Sequence, residues 1–181
     1  MGALIVRAAT EADAEALAAI YGDAVLHGFG TFEEVPPSPA EMETRRRAIA
    51  ERGLPYLVAE SDGVVLGFAY AGPFRPRAAY RYTLEDSVYV SPQAKGRGVG
   101  RAVLLAVIAA SEALGVRQLV AVIGDSGNEG SIGLHTALGF ERTGVGHSVG
   151  FKHGRWVDIV HMQKALNGGD AIPPDGPGIA L

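Results

Sequence analysis

The 181-residue chain contains no cysteine. That excludes a disulfide framework and a thiol nucleophile. It also lacks any long apolar run. The longest, Ala102 to Ala110, falls well short of the roughly 20 residues that a membrane-spanning helix needs. An excess of positive charge is missing as well, and a net charge of −4 argues against general affinity for nucleic acid. The start, Met1 to Arg7, is too short for the apolar core of a signal peptide. Gly2 has Val6 where myristoylation expects Ser or Thr. A cytoplasmic protein is expected. His27, His147, His153 and His161 show no H-E-x-x-H or comparable spacing, so no metal is expected.

What is present is a globular composition, 48% hydrophobic and 20% charged. At this length one domain is the default, and such a chain buries roughly 70% of its unfolded surface. The domain is expected over residues 1–166. The remainder, 167–181, is rich in Gly and Pro and is expected to form a flexible tail, because it offers little apolar surface to bury.

Residues 1–7 read as a first strand. Thr10-Glu11-Ala12-Asp13 starts a helix with a capping-box arrangement. Gly28 to Glu34 reads as a loop able to lie over a pocket. Ser38-Pro39-Ala40-Glu41 starts a second helix, with Pro at its first position. The strands Tyr56–Glu60 and Val64–Tyr70 flank Asp62-Gly63, a hairpin signal. Strands follow at Leu84–Val90 and Gln118–Ile123, separated by a long helix from Val99 to about Leu114. A short helix near Glu129–Leu138 and two late strands, His147–Lys152 and Trp156–Gln163, complete the order β-α-α-β-β-β-α-β-α-β-β. That order implies an α/β (α+β) fold with a mixed central sheet flanked by helices.

The most informative stretch is Leu84 to Arg101, where a strand runs into Lys95-Gly96-Arg97-Gly98-Val99-Gly100-Arg101 and then a helix. Small residues leave amides uncovered where a helix begins, and the helix start carries about +0.5 charge. This is a seat for phosphate or pyrophosphate. A P-loop would need Lys-Ser or Lys-Thr after the last glycine, but Arg101-Ala102 stands there. A dinucleotide loop would need G-x-G-x-x-G and an acid on the next strand, and Gln118 to Ile123 has none.

The loop resembles the [QR]-x-x-G-x-[GA] turn of GCN5-related N-acetyltransferases, with Lys95 where that pattern has Gln or Arg. Asn128 to Phe140 resembles the later N-x-x-A-x-x-L-Y-x-x-x-G-F segment, with Ser131 at the Ala and His135 at the Tyr position. Ala69–Tyr80, Glu85–Val90, Ala121–Gly124 and Phe151–Asp158 are similar to the phosphinothricin acetyltransferase family, which includes methionine sulfoximine and methionine sulfone acetyltransferases. The resemblance implies acetyl transfer from acetyl-CoA to the α-amino group of a small amino-acid analogue. It also implies a homodimer.

Acetyl transfer needs a neutral amine, a polarised carbonyl and a stabilised leaving thiolate. Glu85 is the candidate base. Strand alternation puts it on one face with Ser87 and Tyr89, and Asp86 on the other with Val88 and Val90. Glu85 and Asp86 are therefore not expected to act as a dyad. The family pattern also carries its acid at Glu85, and the alternative is a strand-end carboxylate facing water. Backbone amides at Val88, Tyr89 and Val90 are candidate oxyanion donors. His135, by its place in the family pattern, is the candidate acid. The alternative is a histidine on the exposed side of a short helix. Asn128 is expected to hold the cofactor with its amide, alongside residues 95–101. Arg75 and Arg77 are candidates for an acceptor carboxylate, or else solvated loop arginines. Tyr80, Phe32 and Lys152 complete the substrate candidates. Arg45-Arg46-Arg47 reads as a solvated helix face. Two rival functions stay open: an acetyltransferase for a protein N-terminus or another amine, and a non-catalytic acetyl-CoA-binding regulator.

Overall fold

A seven-stranded sheet in the order β1-β2-β3-β4-β5-β7-β6 organises the molecule, whose structure is a computed structural model describing residues 2–180. Met1 and Leu181, the outer ends of the expected first strand and tail, lie outside the described residues. The strands are β1 Ile5–Ala8, β2 Tyr56–Ser61, β3 Val64–Pro73, β4 Thr83–Val90, β5 Gln118–Gly124, β6 Glu141–Lys152 and β7 Arg155–Ala165. All neighbours are antiparallel except β4 and β5. The helices are α1 Ala14–His27, α2 Pro39–Ala50, α3 Val99–Ala113 and α4 Glu129–Ala137. The element order matches the sequence expectation. β6 is the main difference, for it starts at Glu141, six residues early. Gly144 and Gly146 inside it lack the side chains by which a strand declares itself.

Side-chain alternation divides the core in two. Leu84 of β4, Leu119 and Ala121 of β5, and Ala69 and Ala71 of β3 pack under the α3 residues Val103, Leu104 and Val107. On the opposite face Tyr56, Val58 and Phe68 pack against Leu17, Tyr21 and Val25 of α1 and Met42 of α2. Tyr89 joins this second cluster, its ring 4.8 Å from Tyr21 and 5.2 Å from Phe68. The capping box at Thr10 and Asp13 is present, and Ser38 caps α2 through the amide of Glu41.

The feature that positions the site is an interrupted pairing. β4 and β5 are in register only from Thr83–Gln118 to Asp86–Ala121. Beyond that they diverge. Ser87 to Val90 stay paired with β3, while Val122 to Gly124 stay paired with β7. One edge of β4 is thus left without a strand.

Residues 167–180 form no helix or strand. The stretch is tethered where Arg117 donates to the carbonyls of Gly169 and Ile172, Tyr82 to that of Gly176, and the amide of Ile179 to Arg81.

Candidate active site

The gap between β4 and β5 is the centre of a cavity of about 910 Å³. Residues from both faces of β4 line it, Asp86 and Val88 from one and Ser87 and Tyr89 from the other. The cavity therefore passes through the plane of the sheet. The glycine turn forms one end, with Lys95, Gly96, Gly98, Val99, Gly100 and Arg101 in the wall. Gly96 and Gly98 take φ values of +73° and +80°, a region costly to residues with a Cβ. No atom lies within 4 Å of where their Cβ atoms would be. The first intrahelical bond of α3 runs from Ala102 to Gly98, so the amides of Val99, Gly100 and Arg101 precede it and make an anion seat. Arg97 instead directs its guanidinium at the carbonyl of Gln93.

The opposite wall comes from α1 and the loop after it. Ile20, Asp23 and His27 face the cavity, followed by Gly28, Phe29 and Gly30. The loop sits so close to β5 that a Cβ on Gly124 would collide with the Phe29 carbonyl. The sequence indicated the loop but gave no sign of the α1 contribution.

Asn128 lines the cavity and caps α4. Its Oδ1 accepts from the amide of Ser131 at 3.2 Å and its Nδ2 donates to the Gly124 carbonyl at 3.3 Å. One N–H and one lone pair remain for a ligand.

Glu85 is half-buried on the α1/α2 face, opposite Val120. On that face Thr83 and Val120 line a smaller cavity of about 340 Å³, while Ser87 and Val122 line the large one. Glu85 therefore stands between the two. Burial pushes its carboxyl above the usual range, with nearby Arg75 opposing and Asp86 reinforcing the shift. Phe74 and Tyr80 wall the small cavity, their rings 5.6 Å apart. The Arg75 guanidinium lies 4.5 Å from the Phe74 ring centroid. Arg77 is exposed beside it.

His135 is not on an exposed helix side. It is 2% exposed and both ring nitrogens are engaged: Nδ1 lies 2.8 Å from the Ser131 carbonyl and Nε2 3.0 Å from Asp86 Oδ1. Burial pulls its pKa down, but the Asp86 contact and Ser131 outweigh that and raise it. Sequence reasoning missed this pairing. The available signal was a carboxylate on the apolar α3 face of β4, between Leu84 and Val88.

Lys152 departs from expectation. It is 1% exposed and its Nζ donates to the Thr31 carbonyl at 2.8 Å, so it fastens a loop and reaches neither cavity. Phe32 lies over Gly150 of β6 and also lines neither. Arg45 is not simply solvated, since it bonds to Glu33, which accepts from the Tyr21 hydroxyl. The loop after α1 is thereby anchored to both helices.

Among the described residues no group of three or more His, Cys, Asp or Glu is placed to hold a metal ion. Among the same described residues no helix is long and apolar enough to cross a membrane.

The family model for the GNAT acetyltransferase domain matches residues 6–161. A phosphinothricin N-acetyltransferase of Alcaligenes faecalis is 54% identical over 96% of this chain and 88% of its own. An L-methionine sulfoximine/L-methionine sulfone acetyltransferase of Pseudomonas aeruginosa is 42% identical over 90% of this chain and 94% of its own. A crystal structure of a GNAT phosphinothricin acetyltransferase from Sinorhizobium meliloti, in complex with AcCoA, superposes with a TM-score of 0.92 at 46% identity. That match covers 97% of this chain and 95% of the other. With the divided sheet, the glycine turn and these matches together, the chain belongs to the GNAT acetyltransferase family.

Proposed function

We propose that this acyltransferase moves the acetyl group of acetyl-CoA to the α-amino group of a small amino-acid analogue of the phosphinothricin, methionine sulfoximine or methionine sulfone type. The observation that carries the reading is the position of Glu85, between a through-sheet cavity ending at a helix start and a second, aromatic-walled cavity. The residues present fit the thioester. Open amides at 96–101 suit a pyrophosphate, and the unpaired β4 edge suits an amide-bearing arm.

In this reading residues 95–101 and Asn128 hold the co-substrate, and amides among Val88, Tyr89 and Val90 donate to the thioester oxygen as it gains charge. Glu85 takes a proton from the acceptor amine, directly or through one water, its raised pKa matching that task. Arg75, with Arg77 beside it, takes the acceptor carboxylate as a guanidinium fork, while Tyr80 shapes the seat. His135 supplies the proton for the departing thiolate. Transfer is direct, in a ternary complex, since the chain has no cysteine to carry an acyl group. The machinery belongs to residues 1–166, with a tail beyond that is flexible between its tethers. A cytoplasmic homodimer completes the proposal, supported by the exposed Phe151 and Trp156 pair at the β6–β7 turn.

The test is thiol release from acetyl-CoA with a panel of amino acids, analogues and peptides. Turnover on the analogues with intersecting double-reciprocal lines is expected. Turnover on peptides alone, or parallel lines, overturns the substrate class or the direct transfer respectively. Light scattering after size exclusion reads the oligomer.

A further inference from the structure

Asp86 is the one acid on the α3 face of β4, where Leu84, Val88 and Val90 are its neighbours. It is 5% exposed. Its Oδ1 meets His135 Nε2 at 3.0 Å, and among the described residues no protein group reaches Oδ2. An apolar residue would suit this layer better, because a buried carboxylate costs several kcal/mol before pairing. Such a residue beside a cavity marks a functional position.

The geometry also fixes the protons. Ser131 O can only accept, so His135 Nδ1 must carry hydrogen. The Nε2–Oδ1 contact then holds one further proton, whether it is written on the ring or on the carboxyl. The two side chains titrate as one unit. Phe140 closes the other side of the ring, 4.9 Å away and edge-on, and Ala121 lies opposite Asp86 on β5. Of the charged groups nearby, Arg101 on α3 and Glu129 on α4 are exposed, and Glu85 points to the other face. Both members of the pair line the large cavity.

We infer that Asp86 is a positioning residue: it fixes the His135 ring against the cavity and holds with it the single proton that the departing thiolate takes up. This rests on the acyl-transfer reading above. When the amine nitrogen bonds to the acyl carbon, the carbon–sulfur bond breaks and its electron pair stays on sulfur. The pair releases its proton to that sulfur, leaving an Asp86 carboxylate and a His135 protonated only at Nδ1. Glu85 takes the proton displaced from the amine, and solvent returns one to the pair. Burial pushes the Asp86 carboxyl up, and the contact raises the ring; both shifts act in the direction of retaining the shared proton that the geometry requires.

The experiment compares Asp86→Asn and His135→Gln with the parent enzyme. Asp86→Asn is expected to lower kcat about 100-fold, within the range of a positioned acid, with KM for acetyl-CoA unchanged. The alkaline limb of its kcat profile moves to lower pH, which a structural role would not cause. Full activity in His135→Gln removes the acid reading and this inference with it. An impaired His135→Gln beside an Asp86→Asn with parental kcat and pH profile removes only the inference. Should Asp86→Asn fail to fold, nitrogen NMR of the parent decides, with His135 assigned by its absence in His135→Gln. A ring protonated at Nδ1 throughout the neutral range supports the pair. A ring protonated only at Nε2 overturns it.

Discussion

The buried ammonium of Lys152 donates to the backbone carbonyl of Thr31 at 2.8 Å, joining the end of β6 to a loop 121 positions earlier. That loop continues the wall of the large cavity. Lys152→Met keeps the bulk and removes the donor, leaving a buried carbonyl unpaired at a cost of about 1–3 kcal/mol. A lower unfolding temperature is expected, with KM for acetyl-CoA rising more than KM for the acceptor. Thermal unfolding and initial rates check both.

Glu85→Gln should reduce kcat/KM at least about 100-fold and erase the acidic limb of its pH profile. In the parent that limb lies above the ordinary carboxylate range, because burial raises the Glu85 carboxyl. The native state keeps this proton at pH values where the unfolded chain has lost it. Glu85 therefore costs stability as pH rises through the raised value. Gln removes that cost, so the variant should melt higher than the parent at pH 7 and no higher at pH 4. A variant melting lower at pH 7 contradicts the electrostatic account of this site.

At Gly98 the backbone is left-handed, with room for a methyl group but not for its strain. Gly98→Ala costs about 1–2 kcal/mol if the turn holds its shape. If the turn relaxes instead, the amides leave the anion seat, and acetyl-CoA affinity falls about tenfold for each 1.4 kcal/mol lost. Calorimetry with acetyl-CoA and with desulfo-CoA should show the same loss, since the acyl end takes no part.

Arg75→Ala should raise the acceptor KM by about 10- to 100-fold, the value of a charged hydrogen bond of about 1.5–3 kcal/mol. Arg77→Ala should do less, since only Arg75 bears on Glu85. Initial rates at saturating acetyl-CoA separate the two. Equal effects would place the carboxylate between them.

Away from the site, Arg7 bonds both Asp13 and Glu60. The Arg7 bond holds the Asp13 carboxyl at about 2, below its ordinary 3.8. A carboxyl lowered on folding stabilises the native state above its unfolded value and loses that contribution as pH falls. Acid unfolding should steepen between about pH 4 and 2, and Asp13→Asn should flatten that part of the curve.

The element order was legible because helix starts at Ser38 and Thr10, the Asp62-Gly63 turn and the apolar strands each carry a local signature. The glycine turn was legible for the same reason. The Asp86–His135 pair was not, although alternation assigned Asp86 its correct face. The partner lies 49 positions on, across a parallel crossover that no local pattern records. Lys152 was misjudged for a related reason. A lysine near a site suggests an anion, and only the fold reveals that a carbonyl already occupies it.

The parting of β4 and β5 leaves the two halves of the sheet joined along four residue positions. An extended arm with its own amides, laid along the open edge, would do there what a strand's backbone does elsewhere. Binding then completes the tertiary structure as well as loading the enzyme. Any ligand that binds only the native form stabilises it by RT ln(1 + [L]/Kd). The stability of such a protein is then expected to rise with the concentration of its acyl donor. Starved of that donor, the seam is where the molecule would first come apart, and hydrogen exchange at Val88 to Val90 would register it.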